Sequence, residues 1–172
     1  MFRKMRRYRQ QLEHEECEQI LRRSECGVLG VIGDNGYPYT VPVNGVYYDS
    51  KIAFHCATEG HKLDAIRACD RVSYCVISED TLVPEERATA YVSVIAFGRA
   101  RITMDETEMR EVCRQIGQRF CPDYIDACMQ ETDEAIQAGR LACVIIDIEH
   151  LTGKCGSPVL RSGKRLTDDR KE

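Results

Sequence analysis

The stretch from residue 36 to residue 64, GYPYTVPVNGVYYDSKIAFHCATEGHKLD, decides the fold. It reads as two strands joined by a tight turn, then a sharp entry into a helix. The strands carry Val41, Pro42, Val43 and Asn44, then Phe54, His55, Cys56 and Ala57. The helix opens with Gly60, His61 and Lys62. A helix start presents backbone N–H groups without intrahelical acceptors at the positive end of the dipole, which suits a phosphate. A cation there adds charge complementarity. The strand edge alongside offers backbone donors and acceptors against which a flat polar ring can lie. Together these features describe a site for a phosphorylated aromatic cofactor.

Working outward, HEECEQILRRS (14–24) places Cys17, Ile20 and Leu21 at helical spacing, and CGVLGVI (26–32) reads as a buried strand. GDNG (33–36) is a hairpin turn, and the next strand is expected over 37–48, with Pro38 and Pro42 marking an edge, a bulge or a bend. Asp49 and Ser50 turn the chain into a strand over 51–56. Downstream, strands are expected over 72–77, over 91–102 with a bend at Gly98, and over 141–148. SEDTLVPEERATA, between the first two of these, reads as an exposed loop. Helices are expected over 105–120 and 123–139. The expectation is a mainly β, single-domain fold over 1–160: a six-stranded antiparallel split β-barrel with flanking helices. Residues 161–172 read as a polar, mobile tail. No GxGxxG follows a strand, so a dinucleotide-binding parallel sheet has no support.

The 172 residues carry a net charge of -4, which argues against a general nucleic-acid binder. The basic start, with Arg3, Lys4, Arg6, Arg7 and Arg9, reads as a solvated arm or one that packs on a partner subunit. No apolar run approaches a membrane span, and MFRKMRRYRQQ lacks the apolar core of a secretory signal. Ten cysteines form no CxxC pair and no zinc pattern, so no metal site is expected. Several sit where small apolar residues fit, as in VSYCVI and LACVII, which points to reduced thiols in the cytoplasm.

The ordered segments RKMRRYRQQL, GVLGVIGDNGYPYTVPVN, IAFHCATEGHKLDAI, YVSVIAFGRARI and IDIEHLTGK resemble the flavin-binding split-barrel superfamily that includes pyridoxamine phosphate oxidase. Within it, the chain is most similar to the nitroimidazole-resistance (Nim-type) group, from about residue 3 to about residue 154. The resemblance implies a homodimer with two FMN sites at the subunit interface. It implies that Val41, Pro42, Val43 and Asn44 lie along the isoalloxazine ring, where backbone N–H groups near Asn44 stabilise charge on the reduced ring. It implies further that Phe54, His55, Cys56 and Ala57 approach the ribityl chain and ring. His61 and Lys62 would hold the phosphate, and Tyr91 and Ser93 fall where a partner subunit reaches across. Around the phosphate the oxidase branch carries more arginine than this segment, and no C-terminal segment matches the oxidase's vitamin clamp.

The activity implied is that of an FMN-dependent oxidoreductase. A nicotinamide donor or another reductant supplies electrons, and a small flat acceptor such as a nitro compound receives them. His61 is the candidate catalytic acid, because an imidazole titrates near neutrality. The alternative is a non-catalytic flavin or haem carrier or sensor, since relatives in the superfamily bind haem or a deazaflavin. His55 reads equally as a core or interface histidine, and Lys62 as a solvated lysine.

Overall fold

The computed structural model describes residues 1–162. Helix α1 (His14–Arg23) begins where Glu13 N–H donates to the Glu16 carboxylate at 2.9 Å, and it buries Cys17, Ile20 and Leu21 as their spacing predicts. The Asp-Asn-Gly turn joins β1 (Gly27–Ile32) to β2 (Pro38–Val43). There Gly33 N–H donates to Tyr37 O at 2.8 Å, and Gly36 takes a φ of 80° that suits glycine. Strand β1 is not buried on both faces. Its residues alternate, with Leu29 and Val31 inside and Val28 and Ile32 exposed.

The strand expected over 37–48 is two strands. β2 ends at Val43, and β3 (Val46–Tyr48) pairs with β4 (Lys51–Cys56). Asn44 and Gly45 break the run. The Asn44 side chain donates to Glu25 O at 2.8 Å, and a Cβ on Gly45 would lie 2.8 Å from the Tyr74 hydroxyl. Helix α2 (His61–Ala68) then leads into β5 (Arg71–Val83) and β6 (Ala88–Thr103).

The segment expected as a loop is the far end of the β5–β6 hairpin. Its register runs unbroken from Glu79↔Val92 to Val83↔Ala88. Ladder pairing uses backbone groups, so polar side chains facing water do not prevent it. Pro84 sits in the turn, where its missing N–H costs no ladder bond, and Arg87 closes the turn at a φ of 49°.

Helix α3 (Glu106–Phe120) is capped by Asp105, whose carboxylate accepts from Glu108 N–H at 2.9 Å. Helix α4 (Ile125–Gln137) is shorter than expected, because Pro122–Tyr124 forms a separate 3₁₀ turn. Strand β7 (Ala142–Cys155) runs seven residues beyond its expected end at 148, since β6 pairs with it as far as Cys155. Gly98 marks a register shift between β6 and β7, where a Cβ would lie 2.2 Å from Asp147 O. Helix α5 (Ser157–Ser162) takes in the first two residues of the expected tail, and Arg161 pairs with Glu86. The rest of that tail lies outside the described residues.

The sheet has seven strands rather than six, all antiparallel, in the order β2-β1-β5-β6-β7-β4-β3. The split of the 37–48 run accounts for the extra strand. Strands β2 and β3 are the two edges of this sheet, yet only Asn44 and Gly45 separate them in sequence. Three residue steps span at most about 11 Å. The sheet must therefore curl until its edges nearly meet, which produces a split barrel that does not close. Pro38 and Pro42 lie on an edge strand, as their missing donors require.

The barrel interior holds Leu29, Phe54, Tyr74, Val94 and Ile146, closed off by apolar residues of α1 and α2. A second apolar cluster lies outside, where Met109, Val112 and Cys113 of α3 pack on Val46, Ala53 and Ile145. An ion pair pins α3 to the sheet: Arg101 donates twice to Glu108, at 2.6 and 2.8 Å. Arg101 pulls the Glu108 carboxyl down to about 2 from its ordinary 4.5. A depressed carboxyl stabilises the fold above its unfolded pKa, and that contribution is lost as pH falls through the folded value. Stability should therefore fall between about pH 4.5 and about pH 2. Both side chains are more than a third exposed, so the screened contribution is ~1 kcal/mol or less. Glu108→Gln should flatten this part of a plot of urea midpoint against pH. An unchanged acid slope would show that the pair does not contribute.

Candidate functional site

The entry to α2 is shaped by Gly60. Its φ of 133° is a conformation that side-chain-bearing residues rarely adopt. Gly60 O accepts from Leu63 N–H at 2.9 Å and Asp64 N–H at 3.1 Å, so the N–H groups of His61 and Lys62 are left as the unpaired first turn. No side chain caps this helix start.

The His61 ring does not simply face solvent. It stacks on Tyr39 of β2 with centroids 4.3 Å apart and planes 13° apart, and its Nε2 lies 3.5 Å from Asp34 Oδ1 in the β1–β2 turn. The histidine thus ties the helix start to the edge hairpin while keeping 44% of its side chain exposed. Lys62 is half-buried and makes no ion pair among the described residues. Its charge and that of Arg67 act on the Cys56 thiol, which burial pushes up and these cations draw down. Arg67 is a further cation on this helix, held by Asp64 at 2.8 Å and donating to Thr58 O at 3.4 Å. Tyr39, Asp34 and Arg67 are the corner residues that sequence reasoning missed. Tyr39 alternates with Pro38 and Thr40 on an edge strand, but nothing local in the sequence pairs it with a histidine 22 positions on.

Of the expected ring contacts, Val41 and Val43 turn inward and pack on the barrel core, whereas Pro42 and Asn44 are exposed. The Asn44 amide is already engaged with Glu25 O. On β4, Phe54 is 1% exposed, inside the barrel. His55 projects from the opposite face, the one that Ala53 presents to α3, and lies across from Cys143. Solvent reaches His55, but neighbouring atoms desolvate its charged form and lower its pKa. Cys56 is half-buried and Ala57 exposed at the end of β4, four residues before α2 begins. The structure therefore brings Cys56, Ala57, His61 and Lys62 to one corner, and directs the Phe54 and His55 side chains elsewhere.

Tyr91 and Ser93 are half-buried on the outer face of β6. Tyr91 lines a groove of about 540 Å³ with Arg7, Gln10, Arg87 and Ser157, and no residue of the His61–Lys62 corner lines it. Within one chain, then, Tyr91 and the corner are separate. The outer face of the sheet runs in register from Pro42 through Val28 and Cys75 to Ile95. Val28, Ile32 and Ile77 on this face are 37%, 50% and 64% exposed. Phe2 of the basic arm lies on the chain's own sheet, with its ring 4.5 Å from that of His150 and 5.5 Å from that of Phe97.

All ten cysteines are free; four are buried, while Cys26 and Cys121 are exposed rather than filling apolar positions. Among the described residues, no group of three or more His, Cys, Asp and Glu could hold a metal ion. No helix among them is long and apolar enough to cross a membrane.

Comparison with solved structures finds this architecture repeatedly. A putative 5-nitroimidazole antibiotic resistance protein from Bacteroides thetaiotaomicron is 19% identical, with a TM-score of 0.69 over 85% of this chain and 86% of that one. An FAD-binding protein from Mesorhizobium loti is 26% identical, with a TM-score of 0.58 over 86% of this chain and 97% of that one. An FAD and haem binding protein from Mycobacterium smegmatis is 17% identical, with a TM-score of 0.70 over 91% of this chain and 81% of that one. No curated protein matches the chain in sequence. The model of the pyridoxamine 5'-phosphate oxidase family matches residues 13–155, nearly the whole split barrel and its flanking helices, and the chain belongs to that family.

Proposed function

We propose that the protein is an FMN-dependent oxidoreductase of the nitroimidazole-resistance type, acting as a homodimer. One observation carries the reading: a helix start with two unpaired N–H groups and an unpaired lysine stands beside an edge strand with a free flank. The first half suits a phosphate and the second a flat ring, so the residues present fit a flavin mononucleotide. When bound, that cofactor supplies the redox chemistry. The chain's residues bind and orient it: Lys62 and the first amides of α2 hold the phosphate, and the β2 edge supports the ring.

His61 is held by Tyr39 and Asp34 with its ring partly exposed, a position from which it can hand a proton to an acceptor at the corner. The acceptor class proposed is a small flat nitro compound, reduced at the expense of a nicotinamide donor. The second copy is assigned to the outer sheet face. Its cover would remove Val28, Ile32 and Ile77 from water and carry its Tyr91 and Ser93 towards this corner.

A carrier of flavin or haem is the second reading, favoured by the Mycobacterium smegmatis neighbour that binds both FAD and haem. The absorbance spectrum of the purified protein, reconstituted with FMN, separates the two. Flavin bands that bleach anaerobically with a nicotinamide donor and return on adding a nitro compound support the enzyme. A Soret band, or flavin that neither bleaches nor turns over, overturns it. His61→Ala should lower turnover by about 10²-fold or more if the imidazole is an acid, while leaving bound flavin per protomer near its original level. Equal losses in both would assign His61 to binding alone.

A further inference from the structure

Helices α3 and α4 carry a feature that the flavin site does not use. Gly117, in the last turn of α3, is a meeting point for two cysteines. The backbone N–H of Cys121 donates to Gly117 O at 2.8 Å. Cys128, on the first turns of α4, packs so close to Gly117 that a Cβ there would sit 3.4 Å from Cys128 Cβ and 3.9 Å from its Sγ. The two thiols are in hydrogen-bond contact with each other. Cys121 is exposed, and Cys128 is half-buried beneath it. The Cys128 carbonyl is fixed by Thr132, whose hydroxyl donates to it at 2.8 Å, so the position is held by the helix rather than by a loop.

We propose that Cys121 and Cys128 are a reversible oxidation site, closed into an intrachain disulfide by a low-molecular-weight disulfide. In the first step the Cys121 thiolate attacks one sulfur of the small disulfide. The S–S bond breaks, one small thiol leaves, and Cys121 carries the other half as a mixed disulfide. In the second step Cys128 gives up its proton and attacks Cys121 Sγ. The intrachain bond forms and the second small thiol leaves. Two protein thiols are oxidised by two electrons, and the small disulfide is reduced by the same two, with both protons carried off on the released thiols. The exposed residue is the attacking one because a bulky disulfide can reach it. Burial and the facing Cys121 sulfur both push up the Cys128 thiol, which suits a residue that acts second. The bond ties the start of α4 to the end of α3 across the Pro122–Tyr124 turn.

A second thiol pair provides an internal contrast. Cys113 of α3 and Cys143 of β7 are also in hydrogen-bond contact, and that contact holds the Cys113 thiol down to about 7. Both are buried, at 7% and 0% exposure, so a small disulfide reaches neither without lifting α3 from the sheet. Proximity and acidity favour this inner pair, and access favours the outer one.

Trypsin separates the two pairs cleanly. Cleavage after Arg119 and Arg140 yields one peptide, FCPDYIDACMQETDEAIQAGR, which contains Cys121 and Cys128 and no other cysteine. The folded, full-length protein is treated with oxidised glutathione, then denatured, alkylated with iodoacetamide and digested for mass spectrometry. The expected peptide is lighter by two hydrogens and carries neither alkyl group nor glutathione. Prior treatment with dithiothreitol restores two alkyl groups, and Cys113 and Cys143 remain alkylated throughout. In C128S the glutathione should stay on Cys121. Two alkyl groups on the treated wild-type peptide, or glutathione persisting on wild-type Cys121, would overturn the assignment.

Discussion

Replacing Tyr74 by alanine is expected to cost about 3–5 kcal/mol of stability, the range for deleting a buried aromatic ring. Tyr74 is 2% exposed and projects from β5 into the seam where the two sheet edges approach. A Cβ added to Gly27 would lie 2.2 Å from its ring, and one on Gly45 2.8 Å from its hydroxyl. These two glycines leave room for one large side chain, and that side chain fills the gap between β1 and the β2–β3 link. Its removal leaves a cavity that neither glycine can fill. Tyr74→Phe separates packing from polarity. The hydroxyl donates to Val43 O at 3.3 Å, a long bond, so the phenylalanine variant should lose about 1 kcal/mol or less. Urea unfolding of both variants measures the difference. Equal losses would mean that the hydroxyl, not the ring, holds the seam.

Lys62→Ala should weaken FMN binding by about 10- to 150-fold, the equivalent of about 1.5–3 kcal/mol for one charge-assisted contact. Lys62 is the cation of the corner without an ion pair among the described residues, whereas Arg67 is already engaged by Asp64. Loss of the lysine therefore removes charge that no neighbour replaces. The loss should shrink as ionic strength rises, because the corner is open to solvent. Fluorescence titration at two salt concentrations measures both effects. An affinity unchanged by the substitution would falsify the phosphate assignment while leaving the fold and its family untouched.

Much of the fold was legible because its signals are local. GDNG makes a hairpin turn through the conformational freedom of Gly36, and Asp49 and Ser50 turn the next hairpin at φ values of 48° and 58°. The spacing of Cys17, Ile20 and Leu21 predicts which side of α1 is buried. Gly60 predicts an abrupt helix start, and it takes a φ that permits one. Expectations failed where pairing with a distant strand overrode composition. The polar run over 78–90 becomes a ladder because β5 and β6 extend each other, and β7 continues to Cys155 because β6 is there to pair with it.

The candidate site divides along the same line. By itself the sequence specifies a phosphate-sized helix entry with a cation, next to a strand whose prolines place it at an edge, since glycine conformation and missing proline donors are properties of single residues. Tertiary structure decided that Tyr39 and Asp34 hold His61, that Phe54 and His55 face away from the corner, and that Tyr91 lies at a separate groove. These outcomes depend on sheet order and on the curl that brings β2 and β3 together across Asn44 and Gly45. Such contacts follow from packing between strands far apart in the chain, which residue spacing does not encode.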